Sequence, residues 1–404
     1  MTQETTTIPR YPARRAPGCP FDPPPGLAHR PGAGPLGRVR LWNGSTAWLV
    51  RGHAEQVALM RDPRISADSR RPGFPYVSPA LEVTIRENRT FISMDDPEHR
   101  DQRRRFTAHF SVRRTRELRP AIEQFITRLL DEMAAAGPPA DLVTAFALPL
   151  PSLVICELLG VPYADHDFFQ RLSAVLVDTT SEPEVVLAAT RELRHYLGEL
   201  IEAKRAQPGE DLLSHLAREY LATGRSTREE CVNQARLLLV AGHETTANMI
   251  ALGTCLLLRH PEQLPVVREG TEEQVANAVE ELLRYLNVVH LGRRRIATAD
   301  IEVGGEVIRA GEGVIFAGET ANRDPAVFPE PDRLDLGRRA RRHQAFGTGP
   351  HQCLGQNLAR LELQLAYPAL LRRFPGLRLD VPFEDLRFRE DMVVYGVHEL
   401  PVAW

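Results

Sequence analysis

The chain has 404 residues, of which 43% are hydrophobic and 25% are charged, a composition typical of a globular protein with a large core. The formal net charge of -3 argues against a nucleic-acid partner held by bulk charge. The five cysteines are widely spaced and show no zinc-binding pattern, which favours free thiols in a reducing cytoplasm.

The first segment, residues 1–35, is rich in Thr, Pro, Arg and Gly and has no apolar run that could serve as a signal peptide or membrane anchor. We predict an irregular N-terminal arm here. No linker-like composition follows, so residues 36–404 are predicted to form a single domain. The longest apolar run, residues 237–258, is interrupted by His243 and Glu244, which favours a buried helix over a membrane span.

Two hairpins are predicted, one near each end of the chain. Residues 38–50 alternate apolar and polar side chains around Asn43-Gly44, a pair that suits a tight turn. Residues 301–316 repeat this pattern around Gly304-Gly305. Between the hairpins, apolar residues at helical spacing predict helices at residues 113–136, 184–206, 211–222 and 272–286.

One helix is predicted to be much longer than the others. Ser226 precedes Glu229 by three residues, which is the pattern of a capping box at a helix start. The next strong stop is His260-Pro261. The helix between them would have about 33 residues and a length of roughly 50 Å, so it would cross the whole molecule. The protein is therefore predicted to be mainly α, with small antiparallel β-sheets.

Cys353 lies in the most informative stretch, because residues 346–355 read Phe-Gly-Thr-Gly-Pro-His-Gln-Cys-Leu-Gly. A lone cysteine is often a small buried hydrophobe, but three glycines and a phenylalanine indicate a rigid loop that presents one thiolate. Thiolates are natural ligands of haem iron. The stretch resembles the haem-ligand loop of the cytochrome P-450 family, Phe-x-x-Gly-x-His/Arg-x-Cys-x-Gly. The resemblance implies the triangular P-450 fold, haem b as cofactor and Cys353 as the iron ligand.

The middle of the long helix, residues 241–246, reads Ala-Gly-His-Glu-Thr-Thr. This resembles the oxygen-activation segment of the same family, so Glu244 and Thr245 would deliver protons to dioxygen. A hydroxyl beside an acid can relay protons through water. Alternatively, the Thr245 hydroxyl only bonds back to the carbonyl of Ala241 and bends the helix, and both statements can hold together.

Glu281 and Arg284 stand three residues apart on a predicted helix. By itself this spacing indicates only a weak surface ion pair. In the P-450 family this Glu-x-x-Arg pair is joined by an arginine from a Pro-Glu/Asp-Arg segment, which here is Pro331-Asp332-Arg333. The resemblance therefore implies a buried structural network of Glu281, Arg284 and Arg333 that fixes the Cys353 loop.

Haem carries two propionates that require cations or hydrogen-bond donors. His99 and Arg103, four residues apart on one helix face, resemble the family's His-x-x-x-Arg pair. Arg295 and His351 complete the expected set. Because side chains alternate along a strand, Arg295 shares its face with Arg293 but not with Arg294, and the pattern does not settle which guanidinium points inward.

The resemblance covers roughly residues 40–404 and implies a haem-thiolate monooxygenase, similar to soluble actinobacterial members that modify secondary metabolites. Such an enzyme would hydroxylate a bulky lipophilic small molecule with O2, in a pocket that includes Val240, Ala241, Val289, Val393 and Val394. Alternatives are oxidative coupling or ring closure of aromatic substrates, or a non-catalytic haem sensor. The implied electron donors are a ferredoxin and its reductase, and we expect a cytoplasmic monomer without a nucleic-acid partner or membrane anchor.

Overall fold

The computed structural model describes residues 8–28 and 34–404, and most of its regular structure is helical. The helices, in chain order, are α1 His53–Leu59, α2 Pro79–Glu87, α3 Glu98–Thr107, α4 Val112–Glu117, α5 Arg119–Ala136, α6 Pro149–Leu159, α7 His166–Val177, α8 Pro183–Ala206, α9 Leu212–Leu216, α10 Arg228–Leu258, α11 Leu264–Arg268, α12 Glu272–Tyr285, α13 Gly318–Ala321 and α14 Gln356–Arg373. Among the described residues, no helix is long and apolar enough to cross a membrane.

The strands form three small sheets. They are β1 Leu36–Arg40, β2 Thr46–Val50, β3 Ile65–Ser66, β4 Ala140–Asp141, β5 Arg293–Ala297, β6 Ile301–Val303, β7 Glu306–Ile308, β8 Gly313–Phe316, β9 Arg378–Leu379 and β10 Pro401–Ala403. The largest sheet has the order β1-β2-β8-β5-β3, and only its β2–β8 pair is parallel. The first predicted hairpin is present as β1–β2. The second is shorter than predicted, because only β6 and β7 form it, whereas β8, at the end of the predicted range, pairs with β2 and β5.

Helix α10 is the central element of the fold. It spans 31 residues, and most of its side chains are buried against α6, α8 and α14. Its N-cap is Thr227, whose side chain accepts from the backbone N–H of Glu230 while the Glu230 carboxylate accepts from Thr227. The predicted capping box was therefore one residue too early, because Ser226 instead donates its hydroxyl to Glu230. This reciprocal cap fixes the start of the helix that carries Glu244 and Thr245.

The predicted helix at residues 113–136 is divided into α4 and α5 near Leu118. Pro120 lies in the first turn of α5, where its missing N–H is tolerated, whereas it could not continue α4. The apolar stripe itself is confirmed, because Ile122, Leu129 and Met133 of α5 are buried. Helices α8 and α12 occupy the ranges predicted at residues 184–206 and 272–286.

The described part of the N-terminal arm, residues 8–28 and 34–35, contains turns and one bridge but no helix. It packs tightly on the domain, because Tyr11 and Leu27 are buried. Buried Arg15 donates to the carboxylate of Glu319 at 3.0 Å, so an ion pair also holds the arm. The remaining residues of the predicted arm, 1–7 and 29–33, lie outside the described residues.

Candidate active site

The Cys353 loop leads directly into α14 and is shaped by its glycines. The backbone N–H of Cys353 donates to the carbonyl of Phe346 at 2.9 Å, which closes the loop on itself. Gly347 and Gly349 have φ values of 67° and 76°, in the left-handed region that disfavours other residues. A Cβ atom on Gly349 would also lie 2.6 Å from the carbonyl oxygen of Met60, so this position has room only for glycine.

The surroundings of the Cys353 sulfur are those expected for an atom that binds a metal ion. Burial by the surrounding protein raises the pKa of its thiol, while the backbone N–H of Gly355 and the guanidinium groups of Arg293 and Arg103 oppose that shift. The side chain is nevertheless exposed, because it lies on the wall of an internal cavity. A thiol in this position is deprotonated readily only when a strong cation such as iron binds it.

Two adjoining cavities lie between this loop and α10. Their volumes are about 220 and 180 Å³, and the first is lined by mainly apolar residues of the segment after α12. Both are bounded by Thr245, Thr246, Phe346, His351, Cys353 and Ala359. The Cys353 sulfur therefore lies on one side of this space, and Thr245 and Thr246 of α10 lie on the other. A flat prosthetic group bound between the loop and the helix requires this arrangement.

The four predicted propionate ligands come together at one edge of this space. The rings of His99 and His351 are 4.0 Å apart, and Arg295 and Arg103 lie close enough to contribute, with burial as the largest cause, to lowering the pKa of His351 to about 2. Burial also lowers the pKa of His99. His99 Nε2 and His351 Nδ1 are buried and have no hydrogen-bond partner within the described residues.

This cluster fits a dianionic group. Neither Arg103 nor Arg295 forms an ion pair with a carboxylate in the described part of the chain, and each donates only to a backbone carbonyl. Two unpaired guanidinium groups and two imidazole nitrogens without partners would otherwise be costly to bury. The residues present therefore fit haem b, with its propionates at this edge and its iron at Cys353.

The centre of α10 shows the backbone bond of Thr245 that was one of the two expectations, whereas proton delivery by Glu244 and Thr245 stays a prediction. Thr245 donates its hydroxyl to the carbonyl of Ala241 at 2.8 Å, and its side chain lies on the walls of both cavities. Glu244 points elsewhere, because its carboxylate lies 3.5 Å from Arg389 Nη1 and 3.5 Å from the amide nitrogen of Asn248. The hydrogen bond from Thr245 to the backbone is thus present. It leaves the hydroxyl oxygen free to accept a hydrogen bond from a group in the cavity.

The charge network around Glu281 differs from the prediction in one residue. Arg284 is fully buried and donates to both oxygens of Glu281, at 2.7 and 2.8 Å. Arg333 was expected to join this pair, but its side chain is 67% exposed and approaches Glu330 instead. The third partner is Arg338, whose Nε lies 3.2 Å from Glu281.

Arg333 lies outside the network because of the turn at Glu330, which has a positive φ of 48°. The following backbone directs the carbonyls of Pro331 and Arg333 toward Arg284, which donates to them at 2.8 and 3.4 Å. The segment therefore contributes peptide oxygens to the network and leaves the Arg333 guanidinium in solvent. The sequence offered no signal for Arg338, since it is one of four arginines in residues 338–342.

A second network, missed in the sequence, starts from the neighbouring Glu280. Its carboxylate accepts from Arg360 of α14 at 2.6 and 3.1 Å and is bonded to His343 at 3.0 Å. Arg360 in turn lies over the ring of Phe346, with 4.5 Å between its guanidinium carbon and the ring centroid. His343 precedes the Cys353 loop and Arg360 follows it, so the network holds both ends of the loop in place.

The predicted substrate-pocket residues are only partly brought together. Ala241 lies on the wall of the smaller cavity and Val289 on the wall of the larger one. Val240, Val393 and Val394 lie outside the walls of these two cavities, and Val394 is buried. Their contact with substrate stays a prediction.

Comparisons with known proteins agree with this geometry. The family model of cytochrome P450 matches residues 39–382. Cytochrome P450-SU2 of Streptomyces griseolus is 52% identical over 406 positions, covering 100% of both chains. Pentalenic acid synthase of Streptomyces avermitilis is 50% identical, covering 96% of this chain and 95% of its own. The crystal structure of mycinamicin VIII C21 methyl hydroxylase from Micromonospora griseorubida superposes with a TM-score of 0.92 at 42% identity, covering 98% of this chain and 100% of that chain.

A mainly helical fold with a cysteine loop facing two threonines of the central helix is typical of a haem-thiolate oxygenase. The chain belongs to the cytochrome P450 family. It is therefore an oxidoreductase, a P450 monooxygenase with haem b as its cofactor.

Proposed function

We propose that Cys353 would hold the iron of haem b through its sulfur and that the haem would bind between the Cys353 loop and α10. The observation that carries this assignment is the exposed sulfur on a cavity wall, opposite Thr245 and beside the unpaired cluster of His99, Arg103, Arg295 and His351. When bound, haem b supplies the activation of dioxygen and the insertion of one oxygen atom into the substrate.

The residues of the chain have separate tasks around that group. Arg103 and Arg295 would neutralise the propionates, while His99 and His351 would hydrogen-bond to them. The hydroxyl oxygen of Thr245 accepts a hydrogen bond on the cavity side and so positions a proton donor there, and Glu244 is the acid that supplies the proton. Because Glu244 faces Arg389 in the structure, its carboxylate must rotate toward the cavity to do so. Apolar walls on both cavities limit the access of other water.

The direct test is the spectrum of the reduced protein under carbon monoxide. The wild-type chain should show the strongly red-shifted Soret band of thiolate ligation, and Cys353→Ala should lose it. Cys19→Ala is the matched control, because Cys19 is the other exposed free cysteine among the described residues. A red-shifted band that survives in Cys353→Ala would refute the assignment.

The substrate we propose is a bulky lipophilic small molecule of secondary metabolism, which is hydroxylated. Support comes from the apolar cavity walls and from the relatives, one of which is a methyl hydroxylase whose crystal structure holds mycinamicin VIII. Product mass spectrometry tests the reaction, since hydroxylation adds one oxygen atom. A loss of two hydrogen atoms without added oxygen would instead identify oxidative coupling or ring closure.

The electron donor we propose is a small acidic ferredoxin, reduced by its own reductase. Arg339, Arg341 and Arg342 are exposed in the segment that leads into the Cys353 loop, and no ion pair involves them within the described residues. Arg338, in the same segment, binds Glu281 and is therefore left out of this surface. Replacing Arg341 and Arg342 by Gln should slow reduction at low salt without changing the carbon monoxide spectrum. Unchanged reduction kinetics would refute this surface. The monomeric state and the cytoplasmic location remain predictions.

A further inference from the structure

His243 is a fully buried histidine next to the acid of α10, and the proposed function gives it no task. Its ring lies edge-on to the ring of Phe169 in α7, with 5.8 Å between the ring centroids. The Nδ1 atom lies 2.8 Å from the carbonyl oxygen of Leu239. Because a carbonyl oxygen can only accept, Nδ1 carries a hydrogen and donates it in a bond to Leu239.

The second ring nitrogen of His243 lacks a partner. Nε2 is buried and forms no hydrogen bond within the described residues. Burial is the largest cause of the lowered pKa of His243, so the ring is neutral at pH 7 and its Nε2 can only accept. An acceptor that is buried without a donor is costly, and such a group calls for an explanation.

The two carboxylate oxygens of Glu244 have different surroundings. Oε2 faces donors, because Arg389 Nη1 and the amide nitrogen of Asn248 each lie 3.5 Å away. Oε1 instead lies 3.6 Å from Nε2 of His243. If Glu244 were ionised beside a neutral ring, Oε1 and Nε2 would be two acceptors facing each other. One proton between them satisfies both atoms, and the donors at Oε2 leave Oε1 as the oxygen that carries it.

We propose that His243 and Glu244 hold one proton in common, between Nε2 and Oε1, and that His243 thereby keeps Glu244 loaded with the proton that it delivers. This inference rests on the proposed function, because it takes Glu244 as the acid of the active site. His243 lies outside the described walls of both cavities, so it is a positioning residue that acts through Glu244. Among the described residues, the charged groups that act on His243 are Glu244 and Arg389.

The proposed step is a proton transfer without any redox change in the protein. When the Glu244 carboxyl rotates toward the cavity, its O–H bond breaks and the proton passes to the donor that Thr245 positions. Glu244 is left as a carboxylate and returns to Arg389, whose guanidinium balances its charge. His243 stays neutral, and a proton from solvent water restores the shared state.

Two substitutions separate the roles of the two ring nitrogens. His243→Asn keeps a donor near the position of Nδ1 and removes the acceptor at Nε2, whereas His243→Gln places an amide oxygen near Nε2 and loses the bond to Leu239. The measurement is the pH dependence of the rate at which O2 reoxidises the reduced holoenzyme, followed by the Soret band, because this reaction consumes protons and needs no substrate.

The wild-type rate should stay level to a higher pH than the rate of His243→Asn. We expect the decline in His243→Asn to begin about one pH unit earlier, which makes it roughly tenfold slower where the wild-type rate starts to fall. His243→Gln should keep most of the wild-type profile. A normal profile in His243→Asn together with an early decline in His243→Gln would overturn the proposal, because the bond to Leu239 would then be the one that matters.

Heteronuclear NMR of the histidine ring nitrogens reads the shared proton directly in the reduced, carbon monoxide-bound holoenzyme. The Nε2 signal of His243 should be that of a protonated or hydrogen-bonded nitrogen, and Glu244→Leu should move it to the position of a bare acceptor. If both His243 variants decline early or fail to take up haem, this signal decides. A bare Nε2 in the wild-type enzyme would refute the shared proton, and with a normal carbon monoxide spectrum it would reject this inference while leaving the proposed function intact.

Discussion

Replacing Arg284 by Met should lower the unfolding temperature of the protein by several degrees, because it breaks an ion pair whose two side chains are fully buried. The Arg284 side chain is 0% exposed and donates to Glu281 twice, at 2.7 and 2.8 Å. It also donates to the carbonyls of Asn322 and Pro331, at 2.9 and 2.8 Å. The variant would leave the fully buried Glu281 carboxylate with only Arg338 and the backbone N–H of Asp335 as partners.

Removing one partner of a buried ion pair costs about 3–5 kcal/mol. For a chain of 404 residues, such a loss lowers the thermal midpoint by about 4–6 °C. Circular dichroism measures the midpoint, and the fraction of the red-shifted carbon monoxide band after heating reports the state of the Cys353 loop. Arg284→Met should lower both values together, since the network connects α12 to the segment before that loop.

Two further variants test which arginine completes the network. Arg338→Met removes one bond to Glu281 from a side chain that is 13% exposed, so we expect an intermediate loss of about 1–3 kcal/mol. Arg333→Met changes an exposed side chain and should alter stability by less than about 0.5 kcal/mol. A loss in Arg333→Met as large as that in Arg284→Met would refute the reasoning, because it would place the Arg333 guanidinium inside the network.

Four other measurements test buried and reactive groups. Arg236 is 9% exposed and has no partner among the described residues, so Arg236→Met should leave the thermal midpoint unchanged or raise it; a loss of several degrees would contradict this. Burial raises the pKa of Glu362 well above 4.5, so the folded chain keeps this proton at pH values where the unfolded chain loses it. The free energy of unfolding therefore falls as pH rises above 4.5. Glu362→Gln should remove this decrease from thermal midpoints measured between pH 5 and 8. Glu280 is also buried, yet hydrogen bonds from its partners, including Arg360, lower its pKa to about 2. The stability that the ionised Glu280 contributes is therefore present above pH 4.5 and is lost as pH falls toward 2. Glu280→Gln should reduce the dependence of the thermal midpoint on pH in this acid range. Thr245→Ala should consume reducing equivalents with at least tenfold less product per equivalent, and unchanged coupling would exclude Thr245 from the proton path.

Much of the architecture could be predicted from local patterns, because hairpins and amphipathic helices are set by short-range spacing. The turn at Asn43-Gly44 and the helix at residues 272–286 needed no long-range information. The errors arose where neighbouring residues compete for one role. Ser226 and Thr227 both precede a glutamate by a suitable distance, and only the geometry of the first turn selects Thr227 as the cap.

The site residues likewise divide into those that sequence motifs predict and those that only tertiary contacts reveal. The resemblance to the P-450 family implied that Cys353, Thr245, His99 and His351 belong to one site. The structure places Cys353, Thr245 and His351 on the wall of one cavity, with the ring of His99 beside that of His351. Spacing could not separate Arg333 from Arg338, because the answer depends on how a turn orients its carbonyls. It also gave no sign of the Glu280 network, whose partners lie 63 and 80 residues away along the chain.

The adjacent glutamates of α12 show how one short helix can serve both stability and ligand placement. Consecutive side chains on a helix point about 100° apart, so Glu280 and Glu281 face different neighbours. Glu281 binds Arg284 and Arg338 and so fixes the segment of residues 322–338 against the helix. Glu280 binds His343 and Arg360, which hold the two sides of Phe346 in the Cys353 loop. Because the first network lies in the core and the second touches the loop, disturbance of Glu281 should act mainly on folding. Disturbance of Glu280 should act mainly on the position of the sulfur, and hence on whether bound haem keeps its thiolate ligand.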